Sequence, residues 1–141
     1  MKTIAVTRVL TAAEVLAFDA GVSYTIATAP PAGYMLKFKY AILAKLSGTA
    51  VGTVSDVWDF FYVGESTSLA QVSAADAENI VDTGTTAATY LVHTENGTDD
   101  LDLVAGDCVA KGIEIKATGN TANSDASIQV TVVADLIKIG R

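Results

Sequence analysis

The clearest hydrophobic pattern in the chain is an alternation between residues 34 and 46. Four apolar side chains occupy every second position, and lysines lie between the first three of them: Leu36, Phe38, Tyr40 and Ile42, with Lys37 and Lys39. Because side chains alternate faces along a strand, this pattern predicts a long strand with an apolar row inward and ammonium groups outward. The preceding residues 29–33 (APPAG) are incompatible with a helix or a central strand, which fixes where the strand begins.

The N-terminal segment combines strand patterns with one helix signal. Residues 2–9 and 22–28 alternate loosely between apolar and polar side chains, as strands do. Thr11 followed three residues later by Glu14 is a capping-box pattern, and the alanine, leucine and glutamate residues of segment 10–18 favour helix. We predict a helix of about two turns here; the alternative is a strand that contains Thr11 and Glu14 by chance.

Residues 57–63 (VWDFFYV) predict a strand with aromatic side chains on both faces. In a two-sheet sandwich only one face of a strand looks into the core. Aromatic residues on the second face are typical of an interface between chains. Trp58, Phe60 and Tyr62 are therefore the candidate interface residues. The alternative is that an N-terminal segment or a loop of the same chain covers Trp58.

The C-terminal half of the chain is less regular. Residues 65–89 are small, polar and weakly periodic, and residues 89–93 form a short strand pattern. Asn96-Gly97 is the strongest short turn signal in the chain. Two further alternating segments, residues 109–116 and 128–139, are expected to pair with each other as a closing hairpin.

Together these patterns predict an all-β protein. About eight short strands separated by turns, with one short N-terminal helix, are typical of an antiparallel β-sandwich or jelly roll. We expect one domain over residues 1–141, with the N-terminal strand and short helix in residues 1–20 and the sandwich in residues 21–141. A parallel α/β sheet is disfavoured because the intervening helices are missing.

Composition adds an expectation about association. The chain is 50% hydrophobic and 18% charged, against about 25% charged in typical domains, and its mean hydropathy is +0.39. No run reaches the ~18–20 apolar residues of a membrane helix, so the apolar excess predicts a homo-oligomer rather than a membrane protein. The net charge of −7 disfavours nucleic-acid binding. The N-terminus does not read as a secretory signal, which favours synthesis in the cytoplasm.

No constellation of residues predicts catalysis, a metal site or a cofactor. His93 is the only histidine and no nucleophile motif accompanies it, so a hydrolase is disfavoured and a hydrated strand end is the simpler interpretation. The single cysteine, Cys108, excludes an internal disulfide. Four acidic residues surround one turn, at positions 95, 99, 100 and 102, but their spacing differs from a calcium-binding loop, which favours a solvated turn.

Two segments resemble the beginning of a family of short virion-associated proteins of tailed bacteriophages. They are residues 10–17 (LTAAEVLA) and 26–36 (IATAPPAGYML), where the family commonly reads L-T-x-A-E-[IL] and then A-P-G-A-G-K running into a strand. Residues 119–133, a loop of small residues followed by an alternating strand, are also similar. The chain differs at Pro31 and Tyr34, where the family tends to have Gly and Lys, and these differences bear on turn geometry.

This resemblance implies a β-sandwich that decorates a capsid or forms part of a head or tail appendage, and it supplies no functional residues. The expected function is that of a non-enzymatic capsid decoration or cement protein in the virion. Its expected partners are itself, as a homo-oligomer such as a trimer, and the major capsid protein. The alternative is a carbohydrate- or receptor-binding sandwich of a phage head or tail fibre, using Tyr34, Trp58 or Tyr90.

Overall fold

The computed structural model describes residues 2–82, 89–93 and 109–139, with the backbone alone for 89–93. Two four-stranded antiparallel sheets pack against each other. We name the first the long-strand sheet; its order is β1 (Lys2–Leu10), β10 (Ser127–Lys138), β3 (Tyr34–Ser47) and β7 (Thr89–His93). The all-β sandwich prediction is confirmed, and the N-terminal strand β1 belongs to this sheet.

The second layer, the short-strand sheet, has the order β2 (Ser23–Ala27), β8 (Ile113–Ala117), β5 (Trp58–Tyr62) and β6 (Ala70–Val72). A two-residue ladder joins β4 (Thr53–Val54) to β9 (Thr121–Ala122). The helices are α1 (Ala12–Leu16) and α2 (Ala74–Val81). Neither of these helices is long and apolar enough to cross a bilayer, and the described residues contain no other that is.

The predicted N-terminal helix is present, and its capping box is complete. The Glu14 N–H donates to the Thr11 hydroxyl at 3.2 Å, and the Thr11 N–H donates to the Glu14 carboxylate at 3.1 Å. These two bonds satisfy backbone donors that have no partner within the helix. Helix α2 was not predicted. Its first turn is capped by the Ser73 hydroxyl, which accepts the Asp76 N–H at 3.1 Å.

Strand β3 starts at the proline-containing turn, as predicted. The Tyr34 N–H donates to the Pro31 carbonyl at 3.1 Å, and Gly33, the third turn residue, has a φ of +84°. Glycine adopts a positive φ without the steric strain that a side chain would add. The turn therefore directs the chain into the long strand without a distorted residue.

A β-bulge at Lys39 reverses the orientation of side chains halfway along β3. Phe38 pairs with Ala134 of β10, and Tyr40 pairs with the adjacent Val133, so Lys39 is an additional residue in its strand. Because the bulge takes up one extra residue, the inward positions change from even-numbered residues before Lys39 to odd-numbered residues after it.

The bulge determines which predicted core residues of β3 reach the core. Leu36 and Phe38 precede it and are buried as predicted. The prediction is wrong for Tyr40 and Ile42, which are half-buried on the outer face. Three residues after the bulge lie inward in their place: Ala41, Leu43 and Lys45.

The predicted closing hairpin is also wrong. Strand β8 lies between β2 and β5 in the short-strand sheet, whereas β10 lies between β1 and β3 in the long-strand sheet. The connecting loop contains β9 and passes from one layer to the other. Each strand is central in its own sheet and pairs on both sides, so alternation alone could not identify the partners.

Candidate interaction surface

The three predicted interface residues lie in the core of the single chain. Trp58, Phe60 and Tyr62 are 1%, 0% and 1% exposed. The Trp58 ring centroid is 5.2 Å from that of Phe18, just beyond α1, and the Phe60 ring is 5.7 Å from Phe38 of the opposite sheet. The Tyr62 hydroxyl donates to the Leu36 carbonyl at 2.6 Å, which ties the two sheets together.

These positions correct the interface prediction for the folded chain, because side chains without exposed surface have none to offer another chain. The alternative, in which an N-terminal segment covers Trp58, matches the contact with Phe18. The other row of β5, with Asp59 and Phe61, faces outward. Asp59 was the available signal, since an isolated carboxylate in an otherwise apolar row usually marks the solvent side.

An uncharged outer surface, of the kind predicted for β5, is found instead on the outer side of the long-strand sheet. Three successive rows across β1, β10 and β3 carry no charge, and we name these nine side chains the neutral face. The rows are Ala5–Val133–Tyr40, Thr7–Thr131–Ile42 and Val9–Gln129–Ala44. The three residues of β1 are exposed, and most of the others are half-buried.

The polar groups of the neutral face include a pair that is satisfied within the face. The Thr7 and Thr131 hydroxyls lie 2.9 Å apart and share a hydrogen bond. Apolar surface continues at one end of the face, where Val9 is 48% exposed and Leu46 is 49% exposed. Neutral groups of this kind are inexpensive to remove from water compared with charges.

Charges begin only at the next row of the same sheet. That row is Thr3–Asp135–Lys37. The Thr3 hydroxyl donates to Asp135 at 2.7 Å, and the Lys39 ammonium lies 4.0 Å from the same carboxylate. The neutral face is therefore bounded at one end by charged side chains and at the other by exposed apolar ones.

The outer side of the short-strand sheet is charged and hydrogen-bonded. Asp59 accepts bonds from the Ser68 hydroxyl at 3.0 Å and the Gln71 amide at 3.2 Å. Lys116 pairs with Asp59 in the ladder, and its ammonium lies 6.0 Å from the Phe61 ring centroid. An open groove of about 280 Å³ includes Asp59, Phe61 and Lys116 among its walls.

A buried lysine and a carboxylate organise the loops beyond the Leu46 end of the neutral face. Lys45 is 4% exposed, and its ammonium donates to the Asp82 carbonyl oxygen. Asp125 accepts the N–H groups of Ala50 and Thr49, both at 2.8 Å. These two bonds, that to Ala50 first, lower the pKa of Asp125 below its ordinary value.

A second carboxylate with a lowered pKa, Glu14, lies in α1, just after the C-terminal end of β1. The Thr11 N–H bond is the largest cause of the lowered pKa of Glu14, and the Arg8 guanidinium, 2.9 Å from the carboxylate, also contributes. Arg8 also donates to the Thr25 carbonyl at 2.9 Å and lies 5.3 Å from the Tyr24 ring centroid. Arg8 thereby connects β1 to β2 at the margin of the sandwich.

In the part of the chain that the structure describes, side chains that could catalyse a reaction or bind a metal do not lie together. Within that part, no group of three or more histidine, cysteine or acidic residues is placed to hold a metal ion. His93 pairs with Tyr40 in the β3–β7 ladder. The acidic turn at residues 95–102, the Asn96-Gly97 turn and Cys108 lie outside the described residues.

Comparisons with known proteins relate this chain to others by fold. No protein-family model and no curated protein sequence matches it. A chain of the cyanophage Pam1 capsid asymmetric unit aligns with a TM-score of 0.51 and 15% identity, covering 99% of this chain and 84% of the other. A chain of the Ralstonia phage GP4 capsid aligns with a TM-score of 0.55 and 11% identity, covering 99% and 86%.

A chain of the Helicobacter pylori bacteriophage KHP30 capsid aligns over 100% of this chain and 95% of its own length, with 11% identity. Its TM-score of 0.47 is too low for us to base an argument on it. At these identities the likeness concerns the fold alone. The fold is thus an all-β sandwich similar to those of chains in two phage capsids.

Proposed function

We propose that this chain is a structural protein of a tailed-bacteriophage virion, and more specifically a capsid decoration or cement protein. It acts without catalysis, through contacts with further copies of itself and with the major capsid protein, after synthesis in the host cytoplasm. A trimer is one arrangement for the copies. The similarity to chains of the Pam1 and GP4 capsids supports the class, and the resemblance of residues 10–17 and 26–36 supports the decoration role.

The strand order supports a jelly roll as the particular sandwich. A jelly roll has eight strands in two sheets and contains two Greek keys. Here the chain changes sheet from β1 to β2, from β2 to β3 and from β3 to β5. It changes again from β6 to β7, β7 to β8 and β8 to β10. The resulting orders, β1-β10-β3-β7 and β2-β8-β5-β6, have this double Greek-key form.

The neutral face is the observation that carries the proposal of protein–protein contact. The chain has a net charge of −7, so copies repel one another in most orientations. Nine uncharged side chains in three adjacent rows offer a surface that can be dehydrated without separating ions from water. The cores of protein interfaces are depleted of charged residues in the same way.

The proposed mechanism is stabilisation of the shell by mass action. A protein that binds the assembled shell, and not its dissociated subunits, stabilises the assembly in proportion to the logarithm of its free concentration. The acidic surface keeps unbound copies soluble at the concentrations that this requires. No reactive group on the chain is needed for this effect.

The decisive experiment uses capsids from a phage that lacks the gene for this chain. Purified protein is added back, and binding is followed by co-sedimentation and by the temperature at which the capsids release DNA. We expect saturable binding at a fixed ratio to the major capsid protein and an increase in the release temperature. Absence of binding at micromolar concentration would contradict the proposal.

A second candidate function is carbohydrate or receptor binding, which the groove on the short-strand sheet favours. Phe61 offers an aromatic surface beside Asp59 and Lys116, and binding sites commonly combine apolar walls with a few polar groups. Trp58 cannot serve in this role because it is buried. Binding on a glycan array that is lost in Phe61→Ala would support this function, whereas an array without specific binding would reject it.

A further inference from the structure

Strand β1 is an edge strand whose outer edge has no partner strand among the described residues. Its nine residues pair with β10 one for one, from Lys2–Leu136 to Leu10–Ile128, without a register shift. Alternate N–H and C=O groups of such a strand point away from the sheet. These groups form a regular template for the addition of another strand.

The edges of the short-strand sheet are protected in ways that β1 is not. Strand β2 is five residues long and has a register shift between Thr25 and Ala27, and its Thr25 carbonyl accepts the Arg8 guanidinium. Strand β6 has three residues. Short length and irregular register are features that prevent edge-to-edge association. Strand β1 has no proline and no bulge, and its only charges are Lys2 and Arg8.

An apolar groove accompanies the first half of this edge. It has a volume of about 210 Å³, and its walls include Ile4, Val6, Pro30, Pro31 and Leu136. Ile4 and Val6 point between the sheets but are only half-buried, unlike the inward residues of the central strands. A strand added to β1 would cover this apolar surface with its own inward side chains.

The Arg8 side chain, in the inward row of β1, is directed away from the free edge of the strand. Arg8 is bound by Glu14 and by the carbonyl of Thr25 on β2, and it lies over Tyr24. Its guanidinium therefore closes the gap between the layers and is neutralised there. The other inward residues are Lys2, which is exposed at the start of the strand, and three apolar side chains, Ile4, Val6 and Leu10.

We propose that two copies of this chain pair antiparallel through β1 about a twofold axis at Val6, which continues the long-strand sheet across the dimer. This register pairs all nine residues of each strand: Val6 lies opposite the second Val6, Lys2 opposite Leu10, and Ile4 opposite Arg8. A register centred on Ala5 would instead oppose Lys2 to Arg8, and like charges in direct opposition are destabilising. An odd shift would place inward residues opposite outward ones.

Charge favours a second copy of this chain as the occupant. The chain as a whole carries −7, but β1 contains no acidic residue. Glu14 neutralises Arg8, and the proposed register keeps the two Lys2 ammonium groups at opposite ends of the paired strands. Pairing through β1 therefore opposes neither two carboxylates nor two ammonium groups. The dimer would have an eight-stranded sheet, four strands from each copy, and its two neutral faces would adjoin. This arrangement gives an even number of copies, in place of the trimer named above.

Cysteine cross-linking tests the register in the isolated protein, independently of any capsid. In a Cys108→Ser background, Val6→Cys places one thiol on each side of the axis, where opposite Cβ atoms are about 4.5–5.5 Å apart. Val9→Cys is the matched control, because its two thiols would lie about 20 Å apart along the strands. We expect a reducible covalent dimer from Val6→Cys and little or none from Val9→Cys.

Light scattering of the unmodified chain gives the second measurement. We expect twice the chain mass of 14.6 kDa at micromolar concentration. Val6→Lys should weaken dimerisation at least about 100-fold, since two ammonium groups would meet at the axis, while Leu16→Lys on α1 should leave it unchanged. A mass of one or three chains, or equal cross-linking of the two cysteine variants, would overturn the proposal. Capsid binding by a chain that stays monomeric would overturn this inference and leave the proposed function intact.

Discussion

The outer faces of the two sheets differ in charge although both cover the same core. On the short-strand sheet, Asp59 and Lys116 face each other in the ladder, and Gln71 and Ser68 bond to the same carboxylate. The neutral face of the long-strand sheet has aliphatic side chains, an amide and hydroxyl groups in the corresponding places. A face that is meant to remain in water tolerates charges at no cost, whereas one that is covered by another chain must give up their hydration.

This difference indicates which side of the sandwich is adapted to contact. Covering this face would remove the exposed Lys116 ammonium from water, and it would enclose the Asp59 carboxylate, which is 8% exposed and already bonded to Ser68 and Gln71. Hydroxyl groups that already bond to each other, such as those of Thr7 and Thr131, cost less free energy to remove from water. Under the proposed function, the short-strand sheet therefore faces solvent and the neutral face contacts the partner.

The largest expected effect is on the free energy of unfolding, and it differs between the inward and outward side chains of β5. Phe60→Ala should lower the free energy of unfolding by about 3–5 kcal/mol, because a fully buried ring leaves a cavity. Phe61→Ala, on the outer side of the same strand, should cost less than about 1 kcal/mol. Urea denaturation followed by Trp58 fluorescence measures both. A larger loss in Phe61→Ala would mean that β5 faces the core with its other row.

Adding a carboxylate to each outer face in turn tests which of the two faces contacts the capsid. Ile42→Glu places a carboxylate in the neutral face and should weaken binding to capsids at least about 100-fold, since the charge would be buried without a partner. Ser23→Glu adds the same charge to the short-strand sheet at an exposed position that pairs with Lys116, and it should change binding less than about threefold. Co-sedimentation titrations provide the constants, and circular dichroism verifies that both variants are folded. If Ser23→Glu were the more damaging change, the assignment of the two faces would be reversed.

The smallest expected effect concerns pH. Glu14 and Asp125 have lowered pKa values in the folded chain. Their contribution to stability is therefore complete above the unfolded-state pKa of about 4 and is lost as the pH falls through the lower folded-state values. Thermal unfolding between pH 2 and 7 should show a decline on the acid side that is shallower in Glu14→Gln and Asp125→Asn.

Association through the neutral face should not follow this decline, because the face contains no carboxylate. Between about pH 8 and 9, where Asp and Glu are ionised and histidine is neutral, the affinity for capsids should be nearly constant. A steep pH dependence of binding in that range, with stability unchanged, would indicate that titrating groups outside the neutral face make the contact.

Local signals in the sequence predicted local structure well. Thr11 and Glu14 define the first helix turn through bonds between near neighbours, and these bonds are present. The turn before β3 follows from Gly33 and the prolines. Such features depend on a few adjacent residues, so the sequence contains all the information that fixes them.

Features that depend on distant partners were not predictable in the same way. Alternation assigns two rows to β5 but does not say which row faces inward, and the aromatic content of both rows led to the wrong choice for Trp58, Phe60 and Tyr62. Strands β8 and β10 both alternate, yet they belong to different sheets. Helix α2 is short, and Ala77, one of its three buried residues, is too small to mark an apolar helix face together with Ile80 and Val81.

The bulge at Lys39 has a consequence for how this chain should be aligned with its relatives. Residues on either side of Lys39 keep their facing whether or not the additional residue is present, because the bulge absorbs it. A gene that lost this one codon would encode an uninterrupted strand with the same inward residues. Alignments of chains with this fold should therefore allow a single-residue gap in the middle of the longest strand, where gaps are ordinarily forbidden.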